Sequence, residues 1–325
     1  MFCKNLDQLS NDYDVFLIDV YGVLYDGNVF YDGVLDYLAE MKKIGKKLII
    51  LSNTTMVADD CKIKYRPKGL SEKHYDIFIS SGEAFRRIIK DHIGSAKTYF
   101  SAFSPNNALF NKDQFKQTDT IREADFVYVG YLNSNRFYIA DAFKDRNGQL
   151  IPMEDLTSID CHDIADFDEI TQILDLSLKF NKPLVIANPD IFALEMVSTS
   201  EFSEKRPVLC QGAIGEFYER MGGKVIYFGK PYQAIYDFAK QFIPNGSKTA
   251  MIGDTLWTDI LGGNMAGVDT ILVLTGVSGT FMKSFVDGDI NSKVERLLSK
   301  ISSKMTHKSL KEFSQIPTHI IERFA

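Results

Sequence analysis

Asp14-Val15-Phe16-Leu17-Ile18-Asp19-Val20-Tyr21-Gly22-Val23-Leu24-Tyr25-Asp26-Gly27 opens as a short apolar run rich in β-branched and aromatic residues and breaks at a carboxylate. Such a run reads as a buried strand. Asp19 falls where a parallel strand would leave its sheet, the edge at which open α/β sheets bind ligands. Gly22 follows three residues later and admits backbone angles that a residue with Cβ resists. An isolated Asp after a strand is ordinarily a cap or turn residue. A chemical role for Asp19 therefore depends on what the rest of the chain brings to the same edge.

Working outward, the chain alternates strands and helices. Val34 to Met41 has the helical spacing of apolar residues, with Gly45 suited to a C-terminal cap. Lys47 to Thr55 reads as a second buried strand ending in small polar side chains. Tyr75 to Gly82 reads as a third, leading into an amphipathic helix from about Glu83 to His92. This order predicts a parallel sheet flanked by helices. From Ser95 the texture changes: strands at Lys97–Phe100 and Phe126–Gly130, then a polar region containing Asp160-Cys161-His162-Asp163 and Asp166-Phe167-Asp168-Glu169. That acidic run can be read as a metal site, but carboxylate-rich runs are usually solvated loops or helix starts. Pro183 to Asp190 looks like a strand ending in a polar turn, and Gly212-Ala213-Ile214-Gly215 opens a helix that ends near Gly222-Gly223.

The first texture then resumes. Lys224 to Pro231 reads as a strand ending in Lys230, with Pro231 placed to start a helix. Lys248 to Asp254 is a strand ending in an aspartate, and Thr255 to Gly267 carries the next helix. Asp269 to Thr275 is a further strand, followed by a helix around Ser292 to Met305 and a last strand at Thr318–Ile321. The expected architecture is α/β: a doubly wound parallel sheet built from residues 1–94 and 224–325, with an α/β domain, 95–223, inserted.

Composition bounds the function. With 325 residues there is ample material for a buried core, and 45% hydrophobic with 25% charged residues is ordinary for a globular protein. A net charge of -6 and the lack of a basic face argue against general nucleic-acid binding. Cys3, Cys61, Cys161 and Cys210 are far apart and form no CxxC pair, so neither a zinc site nor a disulfide framework is expected. No apolar stretch is long enough to span a membrane, and the N-terminus lacks the apolar core of a signal peptide. A cytoplasmic location without membrane partners is the expectation.

The strand ends present Asp19, Ser52, Lys230 and Asp254, with Asp259 five residues beyond the last. In a parallel sheet these ends converge on one edge. Two or three carboxylates with backbone carbonyls suit Mg²⁺, a hard cation that takes oxygen ligands. Ser52 and the amides around Asn53 can hold phosphate oxygens, and Lys230 can neutralise their charge. A carboxylate nucleophile that forms an aspartyl-phosphate is an established covalent strategy.

Asp19-Val20-Tyr21-Gly22-Val23-Leu24, Ser52-Asn53, Gly229-Lys230-Pro231 and Gly253-Asp254-Thr255-Leu256-Trp257-Thr258-Asp259-Ile260 resemble the four motifs of the haloacid dehalogenase superfamily. The match is to the NagD-like subclass, which carries a large α/β cap between the second and third motifs and includes 4-nitrophenylphosphatase and pyridoxal phosphatase relatives. Asn188-Pro189-Asp190 and Gly212-Ala213-Ile214 also look like cap elements of that subclass, which makes Asn188 and Asp190 substrate-contact candidates. The resemblance implies Asp19 as nucleophile and Mg²⁺ ligand, with the carbonyl of Tyr21 and Asp254 completing the protein ligands. Asp259 binds directly or through water. Ser52 and Asn53 hold the transferring phosphoryl group, and Lys230 lies between Asp19 and that phosphate. A small phosphorylated metabolite is the implied partner, and a homodimer is open because caps of this subclass often mediate dimers.

One position departs from the pattern. Phosphatases of the superfamily usually carry a second Asp where this chain has Tyr21, as general acid for the leaving group and base for the hydrolytic water. Such help is typically worth about 10²–10⁴-fold, and a phenol with an unperturbed pKa near 10 is a poor base at neutral pH. Haloacid dehalogenases carry Tyr at this position, but Asp254 and Asp259 make a metal site that a halide-releasing enzyme does not need. The sequence thus points to a Mg²⁺-dependent phosphatase, slow for want of the second Asp. A phosphoryl-ligand-binding protein without useful turnover is the alternative, and a dehalogenase-type hydrolase a more remote one.

Overall fold

The computed structural model of the chain describes residues 2–103, 109–132, 143–198, 203–285, 287–299 and 306–325. In chain order the strands are β1 Phe2–Cys3, β2 Val15–Ile18, β3 Lys47–Ser52, β4 Ile77–Ser80, β5 Thr98–Ala102, β6 Lys116–Gln117, β7 Phe126–Val129 and β8 Phe143–Lys144. They continue as β9 Leu150–Ile151, β10 Leu184–Ile186, β11 Phe192–Ser198, β12 Ser203–Leu209, β13 Val225–Tyr227, β14 Thr249–Gly253, β15 Asp269–Val273 and β16 His319–Ile321. The helices are α1 Val34–Lys43, α2 Ala58–Tyr65, α3 Ser81–Ile93, α4 Asp168–Lys179, α5 Gln211–Arg220, α6 Gln233–Lys240, α7 Leu261–Ala266, α8 Val277–Lys283 and α9 Ile290–Leu297. The helix expected to reach Met305 is seen as far as Leu297, and residues 300–305 lie outside the described residues.

The chain forms two compact units, Met1–Ala84 with Gly229–Ala325, and Phe85–Phe228. The first contains a seven-stranded sheet in the order β1-β16-β15-β14-β2-β3-β4. Every pairing in it is parallel. Its central strands are apolar on both faces, as strands of a doubly covered sheet must be. Phe16 and Ile18, Leu48 and Ile50, Ala250 and Ile252 join one buried cluster with Val34, Leu38 and Met41 of α1 and Cys61 and Tyr65 of α2. Their alternates Val15 and Leu17, Ile49 and Leu51, and Met251 join a second cluster with Ile235, Tyr236 and Ala239 of α6. The period-two alternation of side chains thus feeds two separate cores, the doubly wound arrangement expected from the sequence.

The second unit has its own parallel sheet, β13-β10-β7-β5-β6. Gly215 of α5 lies where a Cβ would collide with Tyr227 and Ile186, so the missing side chain lets the helix approach β10 and β13 closely. An antiparallel hairpin, β11–β12, runs from the pair Phe192↔Leu209 to Ser198↔Ser203. The division between units falls after Ala84 and after Phe228, where the sequence placed it at 94/95 and 223/224. One strand changes sheet as a result. Val225–Tyr227 was expected to end a strand of the first sheet at Lys230, but it pairs with Leu184–Ile186 in the second. Three residues of Val-Ile-Tyr complete that edge, and Lys230 follows beyond the strand. No helix among the described residues is long and apolar enough to cross a membrane.

Candidate active site

Register places the first carboxylates side by side. Ile18 of β2 pairs with Ile252 of β14 and with Ile50 of β3. The Asp19 N–H donates to the Ile252 carbonyl at 2.9 Å. Asp19, Asp254 and Ser52 therefore leave the same sheet edge within a residue or two of one another. Close packing at this edge demands glycines. Gly22 has φ of 81°, and a Cβ there would strike the Asp254 carboxylate, as would one at Gly276. A Cβ at Gly253 would strike the side chain of Asp259.

The polar contacts form one closed set. Lys230 Nζ donates to Asp19 Oδ1 at 2.6 Å and to Asp259 Oδ1 at 2.7 Å. The other Asp259 oxygen accepts the N–H groups of Asp254 and Thr255, each at 3.1 Å. Asp254 accepts from Thr255 Oγ1 at 3.0 Å and from the Val277 N–H at 2.5 Å. Lys230 and Asp259 are 2% and 1% exposed, so this is charge held almost out of water. Burial opposes the Lys230 ammonium, but Asp19 and Asp259 outweigh it and hold the lysine protonated. Burial also pushes Asp19 well above the usual carboxylate range, against Lys230 and with help from Asp259 and Asp254. Asp254 is pushed up to about 7 by burial and by Asp259.

One oxygen each of Asp19, Asp254 and Asp259 lie within 4.8 Å of one another. Three carboxylates face a single ammonium here, so with all three ionised the buried site would hold two more negative charges than positive. A hard divalent cation with oxygen ligands fits that donor set, and burial first, with the neighbouring carboxylates adding to it, raises Asp19 and Asp254 where no such cation offsets them.

The second-motif residues are also drawn in, each in its own way. Ser52 is buried, its Oγ 3.5 Å from the Thr54 nitrogen. The Asn53 carboxamide clasps the backbone of Lys230, donating to its carbonyl at 2.9 Å and accepting its N–H at 2.7 Å. That clasp, absent from the sequence reading, explains how Lys230 is held at an edge where its own strand does not run. Thr255 and the Val277 amide were likewise missed, since nothing in their sequence context distinguishes them from ordinary loop groups.

The Tyr21 side chain is engaged elsewhere. Its phenolic oxygen accepts from Lys64 Nζ at 2.7 Å. Its ring meets Tyr25 edge-on at 5.4 Å, and the Lys64 ammonium lies 5.4 Å from the ring centre of Tyr21 and 5.3 Å from that of Tyr65.

In the second unit, Asn188 Oδ1 accepts the Asp190 N–H at 2.9 Å, forming the polar turn after β10. Asp160, Cys161 and His162 bring ligand-type atoms within 4.8 Å of one another. Both ring nitrogens of His162 are hydrogen-bonded, Nδ1 to Asp160 at 2.8 Å and Nε2 to Asp175 at 3.1 Å. That is the arrangement of an imidazolium between two carboxylates, and those carboxylates raise its pKa.

Comparison with known proteins follows the same lines. Residues 16–115 match a family model described as haloacid dehalogenase-like hydrolase, and residues 227–285 match a second, HAD-hydrolase-like model. The chain is 23% identical over 312 residues to phosphoglycolate phosphatase 1A of Arabidopsis thaliana, covering 94% of this chain and 80% of that protein. It is 26% identical over 267 residues to the ribonucleotide monophosphatase NagD of Escherichia coli, covering 81% and 88%. In fold it is similar to a haloacid dehalogenase-like hydrolase from Brucella suis, with a TM-score of 0.66 at 19% identity, covering 99% of this chain and all of that one. Motif order, sheet and matches agree: the chain belongs to the haloacid dehalogenase superfamily of hydrolases, in the subclass that includes NagD.

Proposed function

We propose that the chain is a Mg²⁺-dependent phosphatase that hydrolyses a small phosphorylated metabolite through an aspartyl-phosphate on Asp19. The observation that carries this is the buried set of three carboxylates joined by Lys230 at the end of a parallel sheet. The names of relatives along most of the chain, a phosphoglycolate phosphatase and a ribonucleotide monophosphatase, support the reaction class.

The Mg²⁺ ion would be held by Asp19, Asp254 and the Tyr21 carbonyl, with Asp259 close by, and when bound it would offset the charge of the carboxylates and the phosphoryl group. A carboxylate oxygen of Asp19 attacks phosphorus, and the bond from phosphorus to the leaving oxygen breaks. Lys230 stays protonated between Asp19 and Asp259 and stabilises the charge that gathers on the transferring oxygens. Ser52 and the backbone amides around Asn53 hold that group in line. Water then attacks phosphorus, the bond to Asp19 breaks, and inorganic phosphate leaves. Substrate choice is assigned to the second unit, with Asn188 and Asp190 as contact candidates.

A metabolite phosphatase screen with and without Mg²⁺ tests the reading. Release of phosphate that requires Mg²⁺ and disappears in Asp19→Asn is expected. A folded wild type that neither turns over any ester nor forms a phosphoenzyme overturns it. The engagement of Tyr21 with Lys64 favours a second reading, a phosphoryl-ligand-binding protein without useful turnover. Tight Mg²⁺-dependent phosphate binding without hydrolysis would select that one.

A further inference from the structure

Two loops carry the groups assigned to the metal, and one hydroxyl joins them. The first follows β2 and holds Asp19, Tyr21 and Gly22. The second runs from β15 into α8 and seats Asp254. There the Val277 N–H donates to the Asp254 carboxylate at 2.5 Å, and the Ser278 N–H to its backbone carbonyl at 3.2 Å. The hydroxyl is that of Thr275 in the second loop, whose Oγ1 donates to the Gly22 carbonyl at 2.5 Å. The loops run in direct contact, since a Cβ on Gly22 would strike both the Asp254 carboxylate and the backbone of Gly276. The Thr275 carbonyl in turn accepts from the Tyr31 hydroxyl at 3.3 Å.

Gly22 is thereby fixed through both of its backbone polar groups. Its N–H donates to the Tyr25 carbonyl at 2.9 Å, and its carbonyl accepts from Thr275. The Gly22 N–H and the Tyr21 carbonyl belong to one planar trans peptide and point in opposite directions. The bond to Tyr25 therefore sets where the Tyr21 carbonyl is aimed, and the bond from Thr275 ties that aim to the loop that seats Asp254. We infer that Thr275 is a positioning residue that fixes the spacing between the Tyr21 carbonyl and the Asp254 carboxylate, and so selects Mg²⁺ over Ca²⁺ at this site. The inference rests on the metal assignment of the phosphatase reading. Mg²⁺ demands near-octahedral ligands at short distance, whereas Ca²⁺ accepts longer and more variable ones. Loops locked together by a short bond penalise the larger ion, and loops free to part do not. Bonds of this kind, one step out from the ligands, orient them and tune the affinity of the site.

A hydroxyl that merely ties down a loop would also be bonded to a carbonyl, but its loss would weaken both cations alike. Selectivity separates the two roles. It is read by titration calorimetry of each cation into the full chain, without substrate. Thr275→Val keeps the side-chain shape and removes the donor. It should weaken Mg²⁺ about tenfold and Ca²⁺ clearly less, moving the ratio of the two Kd values towards Ca²⁺ by at least about threefold. Thr275→Ser keeps the hydroxyl and should retain the wild-type ratio. An unchanged ratio in folded Thr275→Val, or an equal shift in Thr275→Ser, overturns the inference. Should Thr275→Val not fold, Tyr31→Phe removes the other side-chain bond made to this residue and should move the ratio in the same direction; an unchanged ratio there overturns the inference too. A folded wild type that binds neither cation overturns the metal assignment itself, whereas Mg²⁺ binding with an unmoved ratio in the variants overturns only the role of Thr275.

Discussion

At the scale of single residues the site is a problem of too many carboxylates, and its behaviour with pH and metal follows from that. Asp254 sits at about 7 when no cation offsets Asp259 and burial penalises its charge. A carboxyl group raised in the folded state binds its proton more tightly there than in the unfolded chain. Its favourable contribution is therefore complete below the unfolded value near 4 and is lost as pH rises towards 7. Metal-free protein should thus melt at progressively lower temperature between about pH 4 and 7, and Asp254→Asn should flatten part of that slope; a calorimetric pH series checks both. Asp254→Asn should also weaken Mg²⁺ binding with the fold intact, and an unchanged affinity by titration calorimetry would remove Asp254 from the site. Tyr21→Asp should raise turnover of an alkyl phosphate by something like 10–10³-fold if a carboxylate restores acid–base help. A drop in a folded Tyr21→Asp variant would show that the phenol has its own role. Asp19, Lys230, Asp254 and Asp259 were legible in the sequence because each motif carries a charged residue at a strand end or one turn beyond it. Lys64 was not, because its pairing with Tyr21 joins residues far apart in the chain and belongs to no motif.

At the scale of elements the sequence shows strands better than short helices, for physical reasons that individual segments make plain. β2 is apolar throughout, and β3 and β14 carry the uninterrupted apolar stretches Leu48–Leu51 and Ala250–Ile252, because both faces are covered, so each stands out as a run. α2 does not, since Ala58-Asp59-Asp60-Cys61-Lys62-Ile63-Lys64-Tyr65 buries only Cys61 and Tyr65 while Ile63 is 73% exposed. The stretch from Thr255 has a different irregularity: a π-turn, Leu256–Ile260, precedes α7, and it returns Asp259 to the amides of Asp254 and Thr255. Lys224–Pro231 was read as one strand because apolar residues lead to a lysine, yet its pairing was decided by β10, a partner that local sequence does not name. Two predictions belong here. Gly276→Ala places a Cβ against the Asp254 carboxylate and should cost about 1–3 kcal/mol of stability together with Mg²⁺ affinity. Loss of stability with unchanged Mg²⁺ affinity would show that Asp254 can shift without leaving the site. In the second unit His162 ties the turn at Cys161–Asp163 to α4 through Asp175. Its raised value means that this tie is complete below about 6.5 and weakens as pH rises through the folded-state value. His162→Gln should therefore narrow the difference in melting temperature between pH 5 and pH 8, and an unchanged difference would show that the tie carries no net stability.

At the scale of the whole molecule the chain is two units built on the same plan, each a parallel sheet with its own core, and only the first contains the carboxylate set. The sequence conveys this organisation through the change of texture after Ser95 and its return after Gly223, but it misplaces the crossings by up to ten residues. α3 runs through the first boundary without a break in helical pattern, and β13 sits at the second as an edge strand. A ligand that binds one folded unit stabilises that unit by mass action, by about 2.7 kcal/mol at a hundred times its dissociation constant. Mg²⁺ at that concentration should slow the slowest-exchanging amides of β2, β3 and β14 by up to about 100-fold, because they exchange only when the first unit opens. The amides of β7 and β10 belong to the other sheet and should be unaffected. Hydrogen exchange followed by mass spectrometry resolves the two sheets in one experiment, and Asp254→Asn supplies the control in which the protection of β2 and β14 disappears. Equal slowing in β7 and β10 would mean that Mg²⁺ is not bound by the first unit alone, and the assignment of the metal to Asp19, Asp254 and the Tyr21 carbonyl would then fail.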